Sequence, residues 1–392
     1  MTQPAFKPPA APSFDMSLIQ RGARLRRSPF FNSTQKYGAR AYTVYNHTFF
    51  PICFDDLEKE YAALINDVTL WDVCVERQVE ITGPDAAAFT NLLTPRDLTK
   101  CAVGQAKYVL ITSDQGGIIN DPVLLRLAEN HFWLALADSD VLLWAKGVAY
   151  RSGMRVEVTE PDVSPLQLQG PKSKDVAKTL FGDRVLDLGY YYFFETSLDG
   201  IPVVVTRTGW SAEVGYEIYL RDGSKGDALW ERIMDAGRPH GIRPTGPSDI
   251  RRVEGGILNW GADILIDDTP YHVGLERLVD LKKPSDYMGK EALARVREKG
   301  VDRKLAGVEI AGPPVAFNAT KWPVSAGGRP VGRITSAIYS PRLKKNIGYA
   351  MVPVQHAELG SKLTVQIPEV GEREATVVPK PFVDPEKAIP KS

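Results

Sequence analysis

Between residues 56 and 93 the spacing of apolar positions changes twice, and each change marks an element. Leu57, Tyr61, Leu64 and Ile65 recur at helical intervals, which predicts a helix over residues 56–67. Gln78 to Thr82 then alternates apolar and polar side chains as a strand does. Gly83-Pro84-Asp85 follows, and an apolar stripe runs on to Leu93. The first N–H groups of a helix have no partner inside it, so a proline there costs no hydrogen bond, and the triplet reads as a strand-to-helix junction.

The same signature returns later. Strand Leu166 to Gln169 is followed by Gly170-Pro171-Lys172 and a helix carrying Val176, Leu180 and Phe181, and the two Gly-Pro pairs lie 87 residues apart. Strand His131 to Ala137 feeds a helix with Trp144, and strand Tyr216 to Leu220 feeds one with Trp230, 86 residues on. Two matches at nearly one offset predict a duplicated α+β unit, whose two sheets can enclose a central cleft suited to a ligand. From about Arg303 the texture becomes short β-rich runs broken by Gly and Pro, among them Leu305–Ile310, Pro330–Ile334, Ile347–Val352 and Lys362–Ile367, which suit a small antiparallel barrel or sandwich. Arg251 to Gly256 and a helix near Lys290–Lys299 read as a linking subdomain. The expected organisation is an N-terminal extension over 1–22, a first α+β unit over 23–160, a second with the linker over 161–302, and a C-terminal β domain over 303–392.

Composition narrows the function classes. Lys plus Arg equals Asp plus Glu at 48 each, so no global field draws nucleic acid or an anionic membrane. Residues 1–14 are proline-rich without an apolar run, and read as a disordered extension rather than a signal peptide; cytoplasmic residence is the expectation. Cys53, Cys74 and Cys101 are spaced for neither a disulfide framework nor a zinc knuckle. The five histidines show no paired helical spacing, so no metal site is expected. Neither a GxxxxGK[ST] loop nor a GxGxxG turn occurs.

Three segments carry residues that a plain core does not need: Tyr42-Thr-Val-Tyr45-Asn46-His47; Tyr108 through Gly116-Gly117-Ile-Ile-Asn120-Asp121-Pro122; and Arg207-Thr208-Gly209-Trp210-Ser211-Ala-Glu213-Val-Gly215-Tyr216-Glu217-Ile218-Tyr219. Each has a plainer reading. Gly116-Gly117 is a hairpin turn whatever Asn120 and Asp121 do, Trp210 and Tyr219 suit packing, and Glu217 alternates with Tyr216 and Ile218 as on a solvated strand face.

Taken together with Trp71-Asp-Val73, Glu76-Arg77-Gln78-Val79, Gln169-Gly-Pro-Lys-Ser173 and Arg252-Val-Glu-Gly255, these segments resemble the aminomethyltransferase (glycine-cleavage T-protein) superfamily, and within it the subgroup of dimethylsulfoniopropionate demethylases. The resemblance spans nearly the whole chain from about Arg26. It implies duplicated folate-binding α+β units around a cleft, a C-terminal antiparallel β-barrel, and tetrahydrofolate as cofactor. Glu217 is then expected to bond the pterin ring, Tyr108 to line the folate, and Arg252 to lie near its polar groups. Trp210 and Tyr219, with Tyr42 and Tyr45, match positions near a methylated substrate, and an aromatic face suits a sulfonium or quaternary ammonium, which has no N–H to donate.

Glycine-cleavage enzymes carry a catalytic aspartate where this chain has Asn120. An amide is no general base, and Asp121 points to the opposite side of an extended chain, so the resemblance implies methyl transfer from a small onium donor to N5 of tetrahydrofolate, with Asn120 beside the reacting groups. Ala212-Glu213-Val214 departs from the demethylases. Two alternatives stay open: an aminomethyltransferase working with a lipoyl carrier protein, and a non-enzymatic folate-binding protein of iron–sulfur assembly, although no cysteine here sits in the Lys-Gly-Cys-Tyr motif of that group. A homodimer is compatible with the resemblance.

Overall fold

The structure, a computed structural model, describes residue 22 and residues 24–392. The extension expected over 1–22 therefore lies outside the described residues except for Gly22. Two sheets form the body. One has five strands in the order Glu157–Thr159, Gln78–Thr82, His131–Ala135, Val123–Ala128, Ala106–Tyr108; the other has six, in the order Phe193–Leu198, Ile201–Thr206, Gly215–Leu220, Ser164–Gln169, Thr69–Asp72, Arg243–Pro244. All neighbours run antiparallel except Arg243–Pro244, which lies parallel to Thr69–Asp72.

The duplication is visible in this order and in its junctions. Gly83 and Gly170 adopt φ of +113° and +116°, a region open chiefly to glycine. A Cβ at Gly83 would stand 2.6 Å from the carbonyl oxygen of Arg155, and one at Gly170 would stand 2.6 Å from that of Asp67. Each carbonyl leads into the strand beside the junction: Glu157–Thr159 pairs with Gln78–Thr82, and Thr69–Asp72 pairs with Ser164–Gln169. Counted from the strand that precedes each junction, the two repeats exchange that first strand: Thr69–Asp72 joins the six-stranded sheet and Glu157–Thr159 the five-stranded one.

Strand composition follows from burial on both faces. Tyr216, Ile218 and Leu220 pack outward with Trp230 and Ile233 of helix Gly226–Gly237. Phe132 and Leu134 pack outward with Val141 and Ala145 of helix Val141–Ser152. The inner faces meet through Leu125, Trp133, Val204 and Tyr219, giving a helix–sheet–sheet–helix stack. A strand enclosed this way shows little alternation between apolar and polar residues. The face of Glu217 that alternation assigned to solvent is for this reason an interior face.

A closed six-stranded barrel follows, in the order Arg303–Ile310, Lys345–Pro353, Arg329–Ser340, Trp322–Ala326, Lys362–Ile367, Gly371–Val378. Trp322–Ala326 and Gly371–Val378 went unread in the sequence, the first carrying Pro323 and the second alternating charges. Arg251 and Arg252, on helix Asp249–Glu254, are fully buried at the joint between body and barrel. Among the described residues no helix is long and apolar enough to cross a membrane.

Candidate active site

A cavity of about 1460 Å³ opens where the two sheets, the hairpin Ala41–Cys53, the linker and the barrel meet. That volume exceeds what one small substrate needs and suits an elongated ligand with a second molecule beside it. Of the residues singled out in the sequence, Tyr42, Tyr45, Tyr108, Trp210 and Glu217 line it. They come from distant parts of the chain and meet only in the fold.

Glu217 is 3% exposed and faces the cavity from strand Gly215–Leu220. Its carboxylate accepts from Gln167 Nε2 at 2.7 Å, from the Tyr219 hydroxyl at 3.0 Å, from the Thr208 hydroxyl, and from the Thr206 hydroxyl at 3.4 Å. Burial pushes its pKa up and these donors pull it back. It enters no ion pair among the described residues. Four donors and no cation leave a negative charge fixed in position with room for further N–H groups from a ligand.

Gln167 is the residue that orders this wall. Its Nε2 also reaches Glu76 Oε1 at 3.3 Å, and its Oε1 accepts the backbone N–H of Trp210 at 3.3 Å. Glu76 is enclosed by protein except where it lines the cavity, and burial, then the charges of Glu217 and Asp121, push its pKa well up. Asp121 lines the cavity too, accepts from the Tyr108 hydroxyl at 2.9 Å, and is pushed up to about 7 by burial. Glu76, Asp121 and Glu217 thus form a cluster of three carboxylates in one part of the cavity. Neither Glu76 nor Gln167 was singled out in the sequence as part of a site; a polar Gln167 on a strand as apolar as Ser164–Gln169 was a usable signal, whereas Glu76 lies in the bend between two strands and carried none.

Three expected site residues stand elsewhere. Asn120 is fully buried and does not line the cavity: its amide donates to Ala137 O at 3.0 Å and Ser139 Oγ at 2.8 Å and accepts from Ala137 N at 3.0 Å, fastening that loop. Strand alternation does send Asn120 and Asp121 to opposite sides, and the side that faces the cavity is that of Asp121. Tyr219 is fully buried behind Glu217, 6.3 Å from the Trp133 ring, and does not line the cavity. Arg252 spends its guanidinium on Asp249 at 2.6 Å, Asp263 at 2.9 Å and Ser336 at 2.9 Å, so it is a structural tie; it borders the site by lying 5.5 Å from the Trp210 ring and 5.6 Å from the Phe317 ring. Tyr42 bonds Thr34 Oγ1 at 2.8 Å, and Tyr45 stands 5.9 Å from Phe50, which packs with Trp71 and Trp210 into an aromatic wall.

Elsewhere the lining is basic. Burial, then the charge of Arg277, holds both Arg96 and Lys387 below their usual values, so three cations gather on one part of the cavity. The site thus pairs an acidic, aromatic region with a basic one.

Residues 17–283 match the family described as GCVT N-terminal domain, and residues 303–384 match the glycine cleavage T-protein C-terminal barrel domain. The chain belongs to this aminomethyltransferase family, a class of one-carbon transferases. It is 40% identical to dimethylsulfoniopropionate demethylase DmdA of Ruegeria pomeroyi over 92% of this chain and 98% of that protein. It is 32% identical to an aminomethyltransferase of Symbiobacterium thermophilum, over 91% of this chain and 97% of the other. The crystal structure of glycine cleavage system aminomethyltransferase T from Bartonella henselae superposes with a TM-score of 0.82 at 24% identity, covering 92% and 98% of the two chains, and shares the fold.

Proposed function

We propose that the protein moves a methyl group from a small onium donor, such as dimethylsulfoniopropionate or a betaine-like compound, to tetrahydrofolate. The observation that carries this reading is Glu217: a buried carboxylate, held by four hydrogen-bond donors and facing a large aromatic cavity without a cationic partner. The edge of a pterin presents adjacent N–H groups, and a fixed carboxylate is the complementary acceptor. Tyr108 flanks the ring. Arg96, Arg277 and Lys387 suit the anionic end of the same molecule. The 40% identity to the Ruegeria demethylase supports the choice of donor.

Bound tetrahydrofolate would supply the nucleophilic N5 that accepts the methyl group; the donor's bond to that methyl would break as it departs as a neutral thioether or amine, and the N5 proton would leave to solvent. Such a leaving group needs little acid catalysis, so the chain's contribution is to position the partners and exclude water. Trp210 and Tyr45 present ring faces to the onium, an attraction of about 2 kcal/mol when water is excluded. Gln167 keeps Trp210 and Glu217 in register, and Tyr219 supports Glu217 from behind.

A second reading is favoured by Asp121. Its carboxyl lines the cavity with a pKa pushed up to about 7, where a group can take or give a proton at neutral pH, as aminomethyl transfer from a lipoyl carrier requires. The amide at Asn120, turned away from the cavity, does not count against it. Incubating the protein and tetrahydrofolate with each donor separates the two: 5-methyl-tetrahydrofolate is expected, whereas 5,10-methylene-tetrahydrofolate and ammonia from an aminomethylated lipoyl carrier would overturn the methyl-transfer reading. Glu217→Ala is expected to lose tetrahydrofolate binding; wild-type affinity in that variant would show that the site is misassigned.

A further inference from the structure

Within the cluster of Glu76, Asp121 and Glu217, Glu76 is the least compensated. Glu217 has four donors and Asp121 has the Tyr108 hydroxyl, while Glu76 has only the long contact to Gln167 at 3.3 Å. The sequence sets a cation beside it, but the fold turns Arg77 outward, where it pairs with Glu160 at 2.8 Å. Around Glu76 stand Glu217 and Asp121, both acidic, the neutral amide of Gln167, and the hydroxyls of Tyr45 and Tyr219, whose ionisation its charge opposes. None of the three carboxylates enters an ion pair among the described residues. A carboxylate enclosed this way costs stability unless something cationic meets it, and such uncompensated groups gather where ligands bind.

We infer that Glu76, together with Asp121, makes this cavity select a positively charged methyl donor, a sulfonium or quaternary ammonium, over a neutral methyl ether of the same shape. The inference rests on the methyl-transfer reading above and goes further by assigning the discrimination to a residue. An onium spreads its charge over the carbons bonded to its sulfur or nitrogen and offers no N–H or O–H, so conventional hydrogen bonds cannot recognise it. Carboxyl groups that ionise when a cation arrives beside aromatic faces can. The placement agrees: the amide of Gln167 that touches Glu76 also holds the backbone of Trp210, and Tyr45 lies close enough to feel the charges of both Glu76 and Asp121. Glu76 touches no reacting atom in this account; its part is to set which donor is admitted.

The test compares two ligands that differ only in that charge: dimethylsulfoniopropionate, and 4-methylpentanoate, in which a C–H replaces the sulfonium sulfur. Both carry the same carboxylate, so its effect cancels in the ratio of affinities. Calorimetry with tetrahydrofolate present should give at least about tenfold tighter binding of the sulfonium by the wild-type protein. Glu76→Gln, nearly isosteric, should bring that ratio close to one and leave the Kd for tetrahydrofolate within about twofold. Its Tm should not fall, because the substitution removes a repelled charge, whereas a purely structural role for Glu76 predicts a lower Tm. Equal affinities in the wild-type protein, or a ratio that survives in Glu76→Gln, would overturn the inference while tetrahydrofolate binding stands. Failure of the wild-type protein to bind tetrahydrofolate would instead sink the reading on which it rests.

Discussion

Gln167 lies directly opposite Glu217 in the register of the central antiparallel pair, and its Nε2 reaches Glu217 Oε1 at 2.7 Å. Through the same amide the folate side and the donor side of the cavity become one mechanical unit, because Oε1 holds the Trp210 backbone.

Replacing that amide should disturb both sides at once. Gln167→Ala removes a donor from Glu217 and the acceptor of Trp210, each hydrogen bond to a charged or buried group being worth about 1–3 kcal/mol. Roughly tenfold or greater losses are expected in tetrahydrofolate affinity and in donor KM together. A loss confined to one ligand, in paired binding and steady-state measurements, would show that the two halves are not coupled through Gln167.

Tyr219 supports Glu217 rather than meeting the donor. Tyr219→Phe keeps the ring and its packing on Trp133 but deletes the hydroxyl 3.0 Å from Glu217 Oε2. Weaker tetrahydrofolate binding by about 1–2 kcal/mol is expected, with donor KM little changed. A donor KM that rises alone would return Tyr219 to the substrate pocket.

Arg252 should reveal itself in stability. Arg252→Met leaves Asp263, 1% exposed, without its cation, and breaking a buried pair from one side costs about 3–5 kcal/mol. Denaturant unfolding should show a loss of that order. Near wild-type stability combined with weak folate binding would contradict the structural assignment.

Asp121 makes stability depend on pH. Its pKa rises from an ordinary value near 3.8 to about 7 in the fold, so the folded state holds the proton more tightly than the unfolded chain. The stabilisation is fully present below about pH 4 and is lost as pH rises through about 7. Melting temperatures measured from pH 4 to 8 should therefore decline more for the wild-type protein than for Asp121→Asn. Parallel curves would mean that Asp121 is not enclosed as described.

The duplication was legible because a turn leaves a local mark: Gly83-Pro84 and Gly170-Pro171 announce the same junction wherever the strands go. The helices that follow were legible for a similar reason, as their apolar stripes face a single neighbour. The exchange of Thr69–Asp72 and Glu157–Thr159 between sheets left no such mark, since strand pairing is decided between segments far apart in the chain, as Glu157 is from Thr82 and Gln169 from Thr69.

The site divides along the same line. By resemblance Tyr108 and Glu217 pointed to a folate pocket and Tyr45 and Trp210 to a methylated donor, and these side chains do face one cavity. Asn120 was misjudged because alternation along a strand says that neighbours face opposite ways without saying which way is inward.

By itself, then, the sequence determined most local elements and the repeat, which follow from spacing and short-range backbone chemistry, and its motifs carried the resemblance to the family. Only the tertiary structure decided that Asp121 and Glu76 share a cavity with Glu217, that Tyr219 stands behind it, and that Arg252 is a tie between body and barrel. Which face of a strand becomes interior depends on what packs against it, and here that partner is a second sheet brought from far along the chain.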